Sequence, residues 1–129
     1  MAQNMSADAL ALERLLEILA SKWTLHILRE LIKSESGVIR FGELRRQLHS
    51  ISPKTLTDRL RTLEEQGIVS RTVFSEVPLH VEYRLTKRGQ RLRPVFRAIK
   101  EWARSEDAEP DQRAVSEAPL LQIPAGKSG

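Results

Sequence analysis

Residues 41–67 read FGELRRQLHSISPKTLTDRLRTLEEQG, and two helices with a tight turn between them are written there. Phe41, Leu44 and Leu48 recur at helical spacing while Glu43, Arg45, Arg46 and Gln47 occupy the other side. That spacing predicts a two-turn helix closed by a turn at His49 to Ile51. Ser52 then offers a hydroxyl to an orphan backbone N–H, and Pro53 suits the first helical position. From there Leu56, Leu60 and Leu63 stand at i, i+4 and i+7, and Gly67 after Gln66 supplies a left-handed C-terminal cap. A short helix joined by a tight turn to a longer, well-capped one is the helix-turn-helix pattern.

The flanks extend the pattern. Downstream, Ile68 to Phe74 is rich in β-branched residues, and Val81, Tyr83 and Leu85 alternate with His80, Glu82 and Arg84. Two strands around Ser75 to Leu79 make a hairpin, the wing of a winged helix-turn-helix. Thr86 can cap a last helix whose stripe is Leu92, Val95, Phe96, Ile99, Trp102 and Ala103, with a kink or a tightened turn expected at Pro94. Upstream, Leu12, Leu15, Leu16 and Leu19 mark one helix beginning near Leu10. Trp23, Ile27, Leu28, Leu31 and Ile32 mark a second, ending near Ser34 to Gly37. Val38, Ile39 and Phe41 read as a short extended piece. The expected fold class is therefore mainly α with a small β-hairpin wing. Residues 1–8 are expected to be a flexible N-terminus, 9–104 the folded domain, and 105–129 a disordered acidic tail with an apolar patch at Pro119, Leu120, Leu121 and Ile123.

Composition agrees with one domain of ordinary size, at 129 residues with 40% apolar and 29% charged. No apolar run reaches the roughly 18 residues of a membrane span, and Met1 to Ala9 lacks the charged and apolar regions of a secretory signal. A cytoplasmic, nucleoid-associated protein is expected. The net charge of +4 conceals an uneven distribution. Up to Arg104 there are 19 basic and 12 acidic residues, and after it 2 basic and 5 acidic. The body is basic and the tail acidic, which points the body toward nucleic acid. There is no cysteine, which excludes disulfides, thiolate metal sites and thiol chemistry.

Four segments resemble the HxlR family of winged helix-turn-helix transcription regulators, relatives of the MarR type. They are Lys22-Trp23 with Ile27-Leu28-Arg29-Glu30-Leu31; Phe41-Gly42-Glu43-Leu44-Arg45-Arg46; Ile51-Ser52-Pro53-Lys54-Thr55-Leu56-Thr57 with Arg59-Leu60; and Glu76-Val77-Pro78 leading to Val81-Glu82-Tyr83 and Leu85-Thr86, with Gly89 fitting too. The resemblance covers about Leu10 to Arg104 and leaves the tail outside. It implies a homodimer that binds a pseudo-palindromic DNA operator and regulates a nearby gene. Many members carry a sensing cysteine early in the first helix. Aligned through Lys22-Trp23, that place, thirteen residues before the tryptophan, is Leu10 here. The redox switch that the resemblance implies has no thiol to work with.

The residues support DNA binding on their own chemistry. With the leucines buried, a helical wheel turns Lys54, Thr55, Asp58, Arg61 and Thr62 outward, with Thr57 and Arg59 beside them. Lys54 and Arg61 offer donors to guanine or phosphate, Thr55 a methyl to thymine, and Ser52 stands at a helix N-terminus that favours a phosphate. Asp58 is expected to orient Arg61 or Arg45. Arg45 and Arg46 lie on the helix that crosses the DNA backbone in this geometry. Arg71 and Arg84 are the wing's candidate cations; the alternative for both is pairing with Glu82 or Glu76. A solvated amphipathic helix is the plain alternative for the whole face.

The first and last helices are too apolar for solvent, so Leu10, Leu15, Leu92, Val95, Phe96, Ile99 and Trp102 form the expected dimer interface. A small apolar effector can fit near Trp23, Leu10, Phe96 and Trp102, and a filled core explains the same residues. His26, His49 and His80 make no metal motif, and His26 reads as the partner of Glu30. No cofactor is expected. Without a Gly-rich phosphate loop, a Ser/His/Asp arrangement or paired carboxylates, enzyme activity is excluded. The rival to a regulator is a winged-helix interaction module that modulates another regulator without touching DNA.

Overall fold

The structure, a computed structural model, describes residues 6–108. Expectations for residues 1–5, the tail from 109 and its patch at Pro119 to Ile123 lie outside the described residues. Helix α1 spans Ala7–Ala20, α2 Thr24–Lys33, α3 Phe41–Gln47 and α4 Pro53–Glu65; strand β1 is Val38–Arg40, β2 Val69–Phe74 and β3 His80–Leu85; α5 is Lys87–Gln90 and α6 Arg93–Ala108. Helix thus begins two residues before the expected domain start and continues four past its expected end.

The helix-turn-helix core forms for local reasons. Ser52 is extended and its Oγ accepts from the Thr55 amide at 3.1 Å, with Pro53 following, so α4 starts where the hydroxyl and the proline dictate. At the other end Gly67 takes φ 72°. Its N–H bonds Glu64 O at 3.0 Å and that of Ile68 bonds Leu63 O at 2.9 Å, a Schellman closure that a side chain at residue 67 would strain. Between these caps Leu56, Leu60 and Leu63 are buried, in one core with Ile27, Leu28 and Leu31 of α2, Leu44 of α3, Leu48 that caps it, and Ile51 of the turn. Burying this many large aliphatic side chains, each worth about 1.5–3 kcal/mol, is the main force holding α2, α3 and α4 together.

The wing is larger than a hairpin. β1 joins it, giving an antiparallel sheet in the order β1-β3-β2, with Ile39 opposite Tyr83 and Val69 opposite Leu85. The extended piece is Val38–Arg40, and Phe41 belongs to α3 rather than to the strand. Ile39, Val69, Tyr83 and Leu85 turn one face of the sheet into the core.

Two expectations are corrected. The last helix is not one kinked helix: α5 ends at Gln90, a tight turn follows at residues 91–92, and Pro94 falls in the first turn of a separate α6, where a missing N–H costs nothing. Trp23 does not open the stripe of α2 but precedes it, at φ 81°. For a residue with a side chain that left-handed conformation costs about 1–2 kcal/mol, and it makes the corner between α1 and α2 sharp. The described residues fall into two compact units, 6–93 and 94–108, so α6 is described by itself.

Candidate nucleic-acid interface

With its leucines buried, α4 shows the opposite face to solvent as the wheel requires. Ser52, Lys54, Arg61 and Thr62 are exposed, and Thr55, Thr57 and Asp58 are half-buried. Ser52 Oγ and Thr55 Oγ1 are 2.9 Å apart, so the Thr55 hydroxyl belongs to the cap and its methyl is the part free for a base. Asp58 does not orient Arg61 or Arg45. Its carboxylate takes Lys54 Nζ at 3.0 Å, the i, i+4 partner one helical turn back. The Lys54 side chain is 85% exposed, so the pair is weak and the ammonium can leave it for a better anion.

Arg45 and Arg46 stand exposed in the last turn of α3, in no ion pair among the described residues. The wing cations part company. In the β2–β3 register Arg71 pairs with Tyr83, whereas Arg84 pairs with Ser70. Alternate residues take opposite faces of a sheet, so Arg71 lies on the face of Tyr83 and Val69, toward α4, and Arg84 on the other. Neither pairs with Glu82 or Glu76: the Glu82 carboxylate takes His80 Nε2 at 3.2 Å, and that imidazole stacks on Phe74 with ring centroids 4.7 Å apart. Likewise His26 does not pair with Glu30, which holds Arg29 at 3.0 Å and Lys33 at 3.8 Å, while His26 meets the edge of Trp23.

Three other arginines donate to backbone carbonyls, two at helix ends and one in the corner between α1 and α2. Arg59 Nε donates to Lys22 O at 2.8 Å, Arg88 Nε to Gln66 O at 3.1 Å, and Arg93 Nη1 to Ile32 O at 3.1 Å. The last turn of a helix leaves carbonyls unpaired and carries partial negative charge, so a guanidinium is a fitting partner. Arg59 therefore faces the corner after α1, not the outer face of α4.

Of the residues expected at a dimer interface, Leu10 of α1 and Val95, Ile99 and Trp102 of α6 are exposed, while Leu15, Leu92 and Phe96 are half-buried. Leu12 and Leu16, at 56% and 50% exposure, are bared more than Leu10, which the leucine spacing already signalled. No residue of α1 is buried. Tyr83 is buried on the wing face that carries Arg71, and only the strand register, not a local sequence signal, brings the two together.

Among the described residues no three His, Asp or Glu side chains are grouped to hold a metal, and no helix is long and apolar enough to cross a membrane. A family model for HxlR-like helix-turn-helix domains matches residues 18–110. An uncharacterized HTH-type transcriptional regulator of Synechocystis is 41% identical over 102 residues, 76% of this chain and 73% of that protein. The reduced form of the transcriptional regulator YodB from B. subtilis superposes with TM-score 0.66 at 33% identity, over 84% of this chain and 99% of that one. The redox regulator HypR in its reduced form does so with TM-score 0.66 at 38% identity, over 75% and 93%.

Proposed function

The chain belongs to the HxlR-like helix-turn-helix family of DNA-binding transcriptional regulators, which are not enzymes, and from that premise we propose that it acts as a homodimer on a pseudo-palindromic operator. The observation that carries the reading is α4: a capped helix with its leucines buried and Lys54, Thr55, Asp58 and Arg61 on the opposite side. In the major groove its first turn presents Lys54 to guanine O6/N7 and the Thr55 methyl to thymine, while Arg45 and Arg46 bind phosphates from α3. The dimer is supported by apolar faces that one chain leaves bare, Leu10, Leu12 and Leu16 on α1 and Val95, Ile99 and Trp102 on α6. A two-fold pair places two copies of α4 about 34 Å apart, one turn of duplex. With no cysteine in the chain, the input to this regulator is not a thiol reaction. The site of action is the nucleoid, in the cytoplasm.

Selection of duplexes from a random pool, followed by titration, tests this reading. A two-fold symmetric site is expected to emerge, bound with steep salt dependence, and Lys54→Ala with Thr55→Ala should change the preferred bases while the dimer persists. Flat, sequence-blind binding overturns the regulator, and a particle of single-chain mass, 14.7 kDa, in sedimentation overturns the dimer.

A further inference from the structure

Between α4 and the hairpin runs a groove of about 350 Å³, lined by Thr57, Arg61, Glu64, Arg71, Val81 and Tyr83 among others. Two guanidinium groups from different elements open onto it, Arg61 from the helix and Arg71 from β2, and both are exposed. Arg71 stands opposite Tyr83 in the ladder, on the same face, and its guanidinium lies close enough to draw the Tyr83 pKa down. Tyr83 is only 6% exposed, so its ring is fixed and can fix the arginine in turn. Burial pushes the Tyr83 pKa up, against the pull of Arg71, so the hydroxyl keeps its proton at neutral pH and leaves the Arg71 charge uncancelled.

A pair of arginines with one held in place fits a tetrahedral oxyanion, because the planar fork offers two parallel donors. If α4 lies in the major groove and the hairpin reaches the neighbouring minor groove, the sugar-phosphate strand dividing those grooves crosses between the two elements. We propose that this groove seats one backbone phosphate of the duplex, gripped by Arg61 and Arg71, with Tyr83 as the positioning residue that aims Arg71. This rests on the DNA-binding reading above. Glu64, exposed on the same groove, opposes the phosphate and sets how tightly it is held.

The test uses the full chain and the duplex it enriches from a random pool, with single phosphates replaced by neutral methylphosphonates. At one position per half-site the replacement should weaken wild-type binding about tenfold or more and leave the affinity of Arg71→Ala unchanged, because that contact is already gone. Arg71→Ala should also flatten the slope of log K against log salt by about 0.9 per clamp, the value for one phosphate contact. Tyr83→Phe should keep the wild-type salt slope yet lose most of the sensitivity to that one phosphate, which a merely destabilised wing would not do. Glu64→Gln should tighten binding. If the duplex binds but no phosphate is coupled to Arg71, the clamp is overturned and the regulator stands; if no duplex is enriched, both fall.

Discussion

Adding one methyl group at Gly89 should unfasten the wing from the end of the chain that follows it. A Cβ built there stands 2.1 Å from Ile68 O, 3.2 Å from Ile68 C and 3.1 Å from a methyl of Leu85. An ordinary carbon–oxygen contact is about 3.3 Å or more, and the obstacle is backbone, so α5 must retreat by more than an ångström. That retreat pulls on the bonds tying Thr86 to the start of β2: its N–H to Ile68 O at 3.0 Å, and its hydroxyl to Gly67 O and Ile68 O. Losing two of these three bonds costs about 1 kcal/mol each and the overpacking about 1–3 kcal/mol. The helix preference of Ala over Gly returns at most about 1 kcal/mol. Gly89→Ala should thus lose roughly 2–4 kcal/mol, which for a domain of this size lowers Tm by roughly 10–25 °C. Urea and thermal unfolding followed by circular dichroism, at one protein concentration because a dimer's midpoint depends on it, measure the loss. A Tm equal to or above the wild-type value, as helix preference alone would give, refutes the argument.

Arg59→Ala should cost about 1 kcal/mol of folding stability, from loss of its bond to Lys22 O, and leave the salt slope of duplex binding unchanged; a slope lowered by about one contact would mean that Arg59 touches phosphate. Asp58→Asn should change Tm little, since its exposed pair with Lys54 is worth about 0.5 kcal/mol or less, and should raise affinity for non-specific duplex in anisotropy titrations; weaker binding to the enriched site alone would show that Asp58 reads a cytosine instead. Because the Tyr83 pKa is raised on folding, the folded state holds that proton more tightly. Its contribution is complete below about pH 10 and is lost as pH climbs through the raised value. Tyr83→Phe should flatten the alkaline fall in stability, and an identical fall in both proteins would refute this.

What the sequence disclosed follows a physical division. Ser52-Pro53 at the start of α4, Gly67 at its end and Thr86 before α5 were all legible, because each acts on backbone groups within five residues of itself. The i, i+4, i+7 leucines of α4 were legible for the same reason. Missed or misassigned features depend on residues far away in the chain. The short extended piece at Val38 and Ile39 was legible, but its pairing with β3, which makes it a strand of the wing sheet, was not. Arg93 finds Ile32 O sixty-one residues back, and Arg59 finds Lys22 O thirty-seven back. The left-handed Trp23 had no local signal, since nothing in a tryptophan favours that conformation. Asp58 shows a subtler failure: the i−4 lysine was in plain view, but a DNA-facing role was sought for it before the ordinary helix-surface pair.

The fate of the arginines also changes what the basic body means. A guanidinium bonded to a backbone carbonyl remains charged, so Arg59, Arg88 and Arg93 still contribute to the long-range field that draws a polyanion in, while that bond occupies one of their donors and restricts where each can reach. Steering and contact are therefore carried by different sets of the same residue type. In the complex proposed above the contact set is Arg45 and Arg46 on α3, Lys54 and Arg61 on α4, and Arg71 on the wing face that Tyr83 shares, with Arg84 on the opposite face of the sheet. A count of positive charge overstates the grip of this protein on DNA but not its reach. The lysine of the contact set is stored against Asp58 in a pair weak enough to open, so a phosphate or a guanine edge competes with a carboxylate one turn away rather than with a buried partner. That competition costs little when the right base is present and leaves the anion of Asp58 facing the duplex when it is not, which is how an acidic residue on a DNA-reading face sharpens discrimination instead of merely lowering affinity.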